Sequence, residues 1–422
     1  MQVIIFEDAA VTGLGPVVFL RPACDLSIGS MTLAEGLAGF GEVTRVLRPH
    51  LASHLAALAG RRVPFWGSHD LPPAPHAHSR HGTVVLLANA RLVPGRTTLA
   101  ALRSLVEAGR EGIVRDGRTV LAAILKVGPE PAAPAELAAG LTASGDAAAM
   151  LESLATVELD PPHGLPLRCL TTPADLLAFH EREIEANLAL RLDSGRYRTI
   201  REGLHVAEGA TIVEPVVVRT SPVVIEKAAE IGPFVCFDGP VWIGERTRVN
   251  PHAWLRQATA AGHDCRLGGE IEASVLEPFS NKPHHGFLGH SHVGSWVNLA
   301  AGTVTSNLKA TYGTVRLRDA AGGVEETGRQ FVGAFVGDLV RTGINTSITC
   351  GSSIGPAASV GGNVSGAIPA FATNLHGKAA TTSCGQAATA LSKMMARRGL
   401  AAGEADERLL ADLAAASGYS DH

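Results

Sequence analysis

The sequence is poor in aromatic and in charged residues. Of its 422 residues, 5% are aromatic and 18% are charged, and 36 Lys and Arg against 40 Asp and Glu give a net charge of −4. Because no overall positive field is present, we expect neither nucleic acid nor an anionic membrane as a partner. Hydrophobic residues nevertheless reach 46%, and glycines number 47. The core must therefore consist mainly of Ala, Val, Leu and Ile.

Paired cysteines and long apolar segments are also missing. The six cysteines form no C-x-x-C pair, which argues against a zinc ribbon and against a disulfide framework. Apolar runs such as Thr83 to Ala88 are far shorter than the roughly 20 residues of a membrane-spanning helix. The first residues, M-Q-V-I-I-F-E-D, do not resemble an export signal. We therefore expect a cytoplasmic protein.

The first 200 residues alternate short β-type runs with helical ones. Strands are predicted at Val3 to Phe6, Val84 to Leu87 and Thr119 to Ile124, and helices are predicted from about Leu33, from Leu99 to Ala108 and from Ala174 to Leu192. This alternation predicts an α/β, Rossmann-like domain over residues 1–200, with a predominantly parallel sheet.

A period of six residues follows. Mostly aliphatic residues recur at every sixth position, and each is often followed by a small residue such as Gly232 or Gly244. The recurring residues are Ile225, Ile231, Phe237, Ile243, Val249, Leu255, Ala261 and Leu267. Hexapeptide repeats of this type form a parallel β-helix of triangular cross-section, with the aliphatic residues inside and small residues at the corners. We expect it to span residues 201–370.

Two interruptions of this period predict loops that leave the prism, and a helical tail ends the chain. The interruptions lie around Glu277 to Gly286 and from about Ser306 to Arg329. Loops on a rigid scaffold often carry function. The tail, residues 371–422, is predicted to contain helices at Gln386 to Arg398 and Glu404 to Ala415.

Three strings carry a family resemblance. N-K-P-H-H-G-F-L-G-H-S-H-V-G spans 281–294, V-N-L-A-A-G-T-V-T-S-N spans 297–307, and T-G-I-N-T spans 342–346. They resemble a divergent branch of the bifunctional N-acetylglucosamine-1-phosphate uridylyltransferase and glucosamine-1-phosphate N-acetyltransferase family. The resemblance implies a left-handed β-helix, a homotrimer, and an acetyltransferase site that uses acetyl-CoA.

The same resemblance implies roles for individual residues. His285 takes the place of the general base, which removes a proton so that an amine can attack a thioester. Arg256, Lys282, Asn298 and Asn307 take the places of substrate-binding residues, an arginine being suited to a phosphate. A further set takes the places of residues that contact acetyl-CoA: Ala300, Gly302 and Gly362.

Two substitutions depart from the family pattern. Glu272 stands where a lysine would help to grip the sugar phosphate, and Phe287 replaces a tyrosine near the base. A carboxylate at that place predicts repulsion of a phosphate. The departures weaken the identification of the substrate more than that of acyl transfer.

The N-terminal half resembles the nucleotidyltransferase of the same family. The usual glycine-rich phosphate loop is absent, and an R-P motif stands in its region, so Arg21 is predicted to pair with phosphates and Asp25 to orient it; a structural Arg–Asp pair is an equal alternative. Asn89 stands where the family has a magnesium-binding aspartate, and an amide lacks the charge expected of such a ligand. If this half is active, it requires Mg²⁺ and a nucleoside triphosphate.

These features predict a transferase of amino-sugar nucleotide synthesis, which N-acetylates a sugar like glucosamine 1-phosphate and has an altered or lost nucleotidyltransferase. Its partners are a sugar phosphate and a nucleotide, and no metal is predicted at the acetyl-transfer site. Two alternatives remain. One is a non-catalytic regulator that binds a nucleotide sugar, and the other is a zinc enzyme of the carbonic anhydrase type, with His285, His290 and either His252 or His263 as ligands.

Overall fold

The N-terminal domain of this computed structural model contains a five-stranded mixed sheet. The structure describes residues 1–58, 83–128, 133–154, 157–160, 166–319, 322–375 and 378–416. The strands, in the order β2-β1-β3-β5-β4, are β1 Gln2–Phe6, β2 Glu42–Val46, β3 Thr83–Asn89, β4 Gly112–Asp116 and β5 Thr119–Val127. The pairs β1–β2 and β1–β3 are parallel, whereas β3–β5 and β4–β5 are antiparallel.

The prediction of a predominantly parallel sheet is therefore wrong for one half of it. Strands β4 and β5 form a hairpin around Gly117 and Arg118, and Gly117 has φ +55°. A glycine tolerates this left-handed conformation in a tight turn, which reverses the chain without a crossover helix.

Helices cover both faces of this sheet. Their bounds are α1 Leu33–Ala38, α2 Pro49–Ala57, α3 Arg96–Ala108, α4 Ala133–Ser144, α5 Ala147–Leu154 and α6 Pro173–Asp193, with short 3₁₀ helices at Ala9–Leu14 and Ala23–Asp25. A capping box formed by Thr172 and Asp175 starts α6, and Pro173 occupies its first turn. The predicted helix over Ala174 to Leu192 is confirmed.

The second part of the chain is a left-handed parallel β-helix of about nine turns, as predicted. Its first face contains Tyr197–Arg201, Leu204–Ala207, Val223–Ile225, Val241–Ile243, Thr259–Ala261, Val275–Leu276, His292–Val293, Ala334–Val336, Ser352–Ile354 and Ala367–Ile368. Its second face contains Thr211–Ile212, Glu230–Ile231, Arg248–Val249, Arg266–Leu267, Asn281–Lys282, Arg341–Thr342, Ser359–Val360, Ala372–Leu375 and Lys378–Thr381.

The third face completes the prism. It contains Val217–Thr220, Cys236–Asp238, Trp254–Leu255, Glu270–Glu272, Phe287–Gly289, Val304–Thr305, Ser347–Ile348 and Asn363–Val364. The predicted aliphatic track from Ile225 to Leu267 is buried and forms one core cluster. Non-glycine residues at several corners have left-handed backbones, among them Phe234, Arg246 and His252. These turns let the chain bend sharply between short strands.

The first predicted interruption is wrong. Asn281–Lys282 pairs in parallel with Arg266–Leu267, and Phe287–Gly289 pairs with Glu270–Glu272, so the chain stays in the prism. What breaks the period is a shorter spacing between inward residues, since Ile271 follows Leu267 after four residues and Leu276 follows after five. Corners of different length explain the loss of the six-residue pattern here.

The second interruption does leave the prism. Its hairpin joins Arg316–Arg318 to Val324–Glu326 and packs Val315 and Leu317 against the N-terminal domain. Arg329, just after the hairpin, pairs with Glu181 of α6.

Apolar contacts tie the β-helix to the rest of the chain. Ile184 and Leu188 of α6 pack on Val224 and Trp242 of the first face. The predicted tail helices are confirmed as α7 Cys384–Ala396 and α8 Glu404–Ala416. They pack with α2 over the corner between the first and second faces, which carries Phe279, Trp296, Leu339 and Phe371. Within the described ranges, no helix combines the length and apolar character required to span a bilayer.

Candidate functional site

One corner of the prism, between the second and third faces, brings together most residues of the predicted catalytic and cofactor set. The N–H of Gly302 donates to the carbonyl of His285 at 3.3 Å, and the N–H of Asn345 donates to the carbonyl of Ala301 at 2.8 Å. Ser347, just beyond, donates to the carbonyl of Gly362 at 2.8 Å. His285, Gly302 and Gly362 therefore lie on coils stacked along one edge, each coil rising by about 4.8 Å.

Glycines keep this corner free of side chains. Gly302 has φ +74°, and a Cβ there would collide with Oδ1 of Asn345. Gly286 has φ +123°, and a Cβ there would collide with the carbonyl oxygen of Thr303. The N–H of Ala300 donates to Thr342 Oγ1 at 2.8 Å, which fixes the next stretch of backbone. The corner thus offers main-chain groups to a ligand.

His285 is exposed at this corner. Within the described chain, its imidazole makes no hydrogen bond and no ion pair. His284, beside it, is also exposed. The ring of His285 is therefore accessible to a substrate, as a general base requires.

Lys282 does not lie on the surface, where a substrate-binding role would place it. Its side chain is 1% exposed and occupies the inward position opposite Leu267. The ammonium donates to the carbonyl of Gly268 at 3.1 Å and to that of His284 at 2.7 Å. Burial lowers the pKa of Lys282 to about 8. As placed, Lys282 supports the turn that carries His285 and does not reach a surface ligand.

Arg256 lies on the third face in a group with two carboxylates. Its Nη1 donates to Glu270 Oε1 at 2.9 Å and to Glu272 Oε2 at 3.0 Å, and its guanidinium lies 4.9 Å from the ring centre of Trp254. Burial raises the pKa of Glu272, although Arg256 opposes this shift. With both carboxylates ionised, the group carries a net negative charge, which is unfavourable for a phosphate.

Asn307 joins this face through His290. Its Nδ2 donates to His290 Nδ1 at 2.9 Å, and the ring of His290 stacks on Phe331 with 5.3 Å between ring centres. Burial lowers the pKa of His290, which favours the neutral ring that this hydrogen bond requires. Phe287 lies between this group and the His285 corner, since it directly precedes Leu288 and Gly289 on the third face.

Asn298 lies apart from that group, on the second face. Its backbone forms parallel β-bridges with Asn281 on one side and with Arg341 on the other, and the residue is exposed. Sequence reasoning placed Asn298 and Asn307 together as substrate ligands, but the corner of the prism separates them.

The histidines of the zinc alternative do not converge. His285 lies at the corner between the second and third faces, His290 where the third face ends, and His263 between the first and second faces, where it pairs with Asp264 at 2.7 Å. His252 stacks on Phe234 two coils away from His285. No group of three or more His, Cys, Asp or Glu suited to a metal ion occurs among the described residues. This geometry contradicts the zinc alternative.

Arg21 lies at the domain interface and not in an open nucleotide site. It is 0% exposed, and its guanidinium pairs with Asp338 at 2.7 Å and with Glu277 at 3.0 Å, both residues of the β-helix. Asp25 pairs with Arg45 at 2.9 Å. Burial alone would lower the pKa of Arg21. The neighbouring carboxylates Asp338 and Glu277 outweigh this effect, so that the pKa of Arg21 is raised. The structure thus supports a structural role for Arg21, with carboxylates other than Asp25 as its ion-pair partners.

Asn89 is buried at the carboxyl end of β3, where it holds Asp8. Its Nδ2 donates to Asp8 Oδ2 at 2.8 Å, and its Oδ1 accepts from the N–H of Arg91 at 2.9 Å. The guanidinium of Arg91 also donates to both carboxylate oxygens of Asp8, at 2.8 and 2.6 Å. Burial alone would raise the pKa of Asp8. The hydrogen bonds from Arg91 and Asn89 outweigh this effect, so the pKa of Asp8 is lowered.

These residues do not fit a magnesium ion. Magnesium prefers free carboxylate oxygens, whereas Asp8 is occupied by Arg91, and neighbouring Glu7 is occupied by Arg48 at 2.9 Å. A cavity of about 370 Å³ lies next to them, at the carboxyl ends of β1 and β2, between Arg48 and the segment from Leu141 to Ala147. This is where α/β sheets usually bind ligands.

Comparisons with known proteins agree with the sequence resemblance. Residues 3–196 match the family model described as sugar nucleotidyl transferase. A bifunctional sugar-1-phosphate nucleotidylyltransferase/acetyltransferase of Sulfurisphaera tokodaii is 35% identical over 33% of this chain and 35% of its own length. The bifunctional protein GlmU of Cupriavidus pinatubonensis is 34% identical over 25% of this chain and 23% of its own length. Parts of the chain are thus similar to bifunctional nucleotidyltransferase/acetyltransferase proteins.

These alignments are partial, and the chain matches about a third or less of the length of each of these relatives. Among solved structures, an Arabidopsis UDP-N-acetylglucosamine acyltransferase is 11% identical, with a TM-score of 0.26 over 48% of this chain and 77% of that one. The acetyltransferase domain of PglB from Neisseria gonorrhoeae, in complex with acetyl coenzyme A, is 11% identical, with a TM-score of 0.18 over 53% of this chain and 85% of that one.

Proposed function

We propose that this protein is a transferase of sugar-nucleotide biosynthesis, which N-acetylates an amino sugar such as glucosamine 1-phosphate with acetyl-CoA. The observation that carries the proposal is the stacking of His285, Ala300, Gly302 and Gly362 along one glycine-rich corner. The partial alignments with bifunctional nucleotidyltransferase/acetyltransferase proteins support the reaction class.

In the proposed reaction, the corner aligns the thioester with the amine. The amine nitrogen attacks the thioester carbonyl carbon, a new C–N bond forms, and the C–S bond breaks. His285 removes the proton from the attacking nitrogen and delivers it to the leaving thiolate, so that the products are the amide and coenzyme A. Main-chain N–H groups of the corner stabilise the oxyanion that develops on the carbonyl oxygen.

The sugar is proposed to lie on the third face, beside His285. Phe287 supplies an apolar surface there, and Asn307 and the Arg256 group supply polar contacts. Since Arg256 already binds Glu270 and Glu272, this face favours hydroxyl groups or an ammonium group over a phosphate.

The first experiment compares His285→Ala with His284→Ala in the full-length chain. The two histidines are adjacent and exposed, so each change removes an imidazole from the same turn. We expect His285→Ala to lower kcat for acetyl transfer by about 10²- to 10⁴-fold, the usual contribution of a general base. His284→Ala should retain most of the wild-type rate. Equal rates for the two variants would rule out His285 as the base.

For the N-terminal domain, we propose binding of a nucleotide sugar with little or no nucleotidyl transfer. The support is that Asp8 and Glu7, the carboxylates at the end of β1, are both paired with arginines. The test incubates the protein with sugar 1-phosphates, each nucleoside triphosphate and Mg²⁺, and measures product masses. A nucleotide sugar formed at many turnovers per enzyme would refute this part of the proposal.

A further inference from the structure

The second face of the β-helix carries a row of arginine and asparagine side chains. Arg248, Arg266 and Asn281 are paired on consecutive coils, and the bridges then continue through Asn298 to Arg341. Because coils rise by about 4.8 Å, Arg266 and Arg341 lie three coils, or about 14 Å, apart. The two asparagines fill the space between them.

A fourth guanidinium reaches this row from the tail. Arg398, just after α7, donates from Nη2 to Asn281 Oδ1 at 2.8 Å. Arg341 donates from Nη2 to Ser359 Oγ at 3.0 Å, whereas its Nε is buried and has no hydrogen-bond partner within the described chain. A buried donor without a partner is costly and is commonly satisfied by a ligand or water.

Three arginines of this row, Arg266, Arg341 and Arg398, form no ion pair with a carboxylate among the described residues. Glu230 pairs with Arg248 at 3.1 Å, and Asp264 is held by Arg246 and His263. Burial lowers the pKa of Arg398 and nearby Arg266 lowers it further, whereas Cys265 and Asp264 oppose this shift without reversing it. Like charges on neighbouring strands destabilise a sheet unless an anion lies between them.

We propose that Arg266, Arg341 and Arg398, with Asn281 and Asn298, bind the phosphate groups of a substrate. Planar guanidinium groups suit phosphate oxygens because they donate two parallel hydrogen bonds. Asn298 precedes Ala300 by two residues, so the row adjoins the proposed cofactor corner. The inference rests on the proposed function, since the phosphate belongs either to the amino sugar or to coenzyme A.

Binding is measured by calorimetry on the full-length chain, with inorganic pyrophosphate as the first probe. We expect Arg341→Gln and Arg398→Gln each to weaken binding by about tenfold or more, as expected for a charged hydrogen bond. Arg219→Gln is the matched control because Arg219 is exposed and lies on the third face, 3.5 Å from Asp238. It should change the affinity by less than about twofold.

Two further ligands distinguish the sources of the phosphate. If the sugar supplies it, Arg341→Gln weakens binding of glucosamine 1-phosphate; if the cofactor supplies it, the variant weakens binding of adenosine 3′,5′-bisphosphate, a fragment of coenzyme A. Unchanged binding of both, no saturable binding of pyrophosphate, or an equal loss in Arg219→Gln would overturn the site. These binding measurements need no turnover, so failure of the acyl-transfer proposal remains a separate result.

Discussion

At the scale of the residue, Lys282 is the least expected feature of the β-helix. An ammonium group inside an apolar prism is unfavourable unless its donors are satisfied, and here two carbonyls accept from it. Family resemblance alone assigned Lys282 to the substrate. It could not reveal that the local spacing turns this residue inward, because the hexapeptide period is lost between Leu267 and Leu276. By contrast, the resemblance implied one site for His285 and Gly302, and these residues lie on neighbouring coils at one corner.

The buried lysine predicts a specific pH dependence of stability. The pKa of Lys282 is about 8 in the folded protein, against an ordinary value of 10.5 for a solvated lysine. Between these values the unfolded chain binds more protons, so the free energy of unfolding should rise as the pH increases through this range. Lys282→Met, which nearly preserves the volume, should remove that rise. Urea unfolding at about pH 7.5 and about pH 10 measures the change in the free energy of unfolding. The same change in wild type and variant would contradict the assignment of this pKa to Lys282.

Two glycines of the corner offer a matched comparison. Gly302 and Gly362 both have φ +74°, so an alanine at either is strained by about 1–2 kcal/mol. Only at Gly302 would the new Cβ collide with Asn345, because the space around Gly362 is open. We expect Gly302→Ala to lower the melting temperature more than Gly362→Ala and to raise the KM for acetyl-CoA. Equal effects of the two substitutions would argue against a tightly packed cofactor corner.

At the scale of the element, the domain interface depends on one buried cluster of charges. Burial would raise the pKa of Glu277, but Arg21 and His292 outweigh this effect and hold it at about 2. The backbone N–H and the hydroxyl of Ser27 also donate to Glu277, at 2.9 Å each. The sequence marked Arg21 as important but not its partners, since they lie more than 250 positions away in the chain.

Removing this arginine should weaken the whole interface. Arg21→Met leaves Glu277 and Asp338 buried without their cation, and a loss of about 3–5 kcal/mol in the free energy of unfolding is expected. Arg96→Met is the control, since Arg96 forms an exposed pair with Asp193 and should cost less than about 1 kcal/mol. Urea denaturation measures both. A cost for Arg21→Met no greater than that for Arg96→Met would contradict the interface described.

The same cluster sets the response to acid. Because the pKa of Glu277 is lowered from 4.5 to about 2, its contribution to stability is complete above pH 4.5 and is lost as the pH falls towards 2. In Arg21→Met the pKa of Glu277 should rise, so that the stability lost between pH 4.5 and pH 2 should be smaller than in the wild type. Unfolding midpoints between about pH 3 and pH 6 test this shift.

At the scale of the whole molecule, the exposed apolar residues predict self-association. Val217, Phe234 and Ile344 are 51%, 55% and 67% exposed on the third face and on the corner that carries His285. Burial against a second copy would remove this surface from water, in line with the trimer expected from the family resemblance. The repeat pattern predicted the prism because its period is strict. It did not reveal which face remains uncovered, since that depends on where α6, α7 and α8 pack.

We therefore expect light scattering to give three times the 43.7 kDa mass of the chain. Phe234→Asp should dissociate the trimer because a carboxylate would be buried at the interface. Tyr312→Asp is the control, since Tyr312 is 70% exposed in the segment that leaves the prism. A monomeric wild-type protein, or an intact trimer in Phe234→Asp, would contradict this arrangement.

The most direct test of the proposed acetyl transfer is a mass-spectrometric assay of the purified full-length protein. It is incubated with acetyl-CoA and a panel of amino sugars and amino-sugar phosphates, alongside His285→Ala and His284→Ala. We predict that at least one amino sugar gains a single acetyl group with wild type and with His284→Ala, and that the product is nearly absent with His285→Ala. The absence of any acetylated sugar with wild type, or an undiminished yield with His285→Ala, would contradict the account.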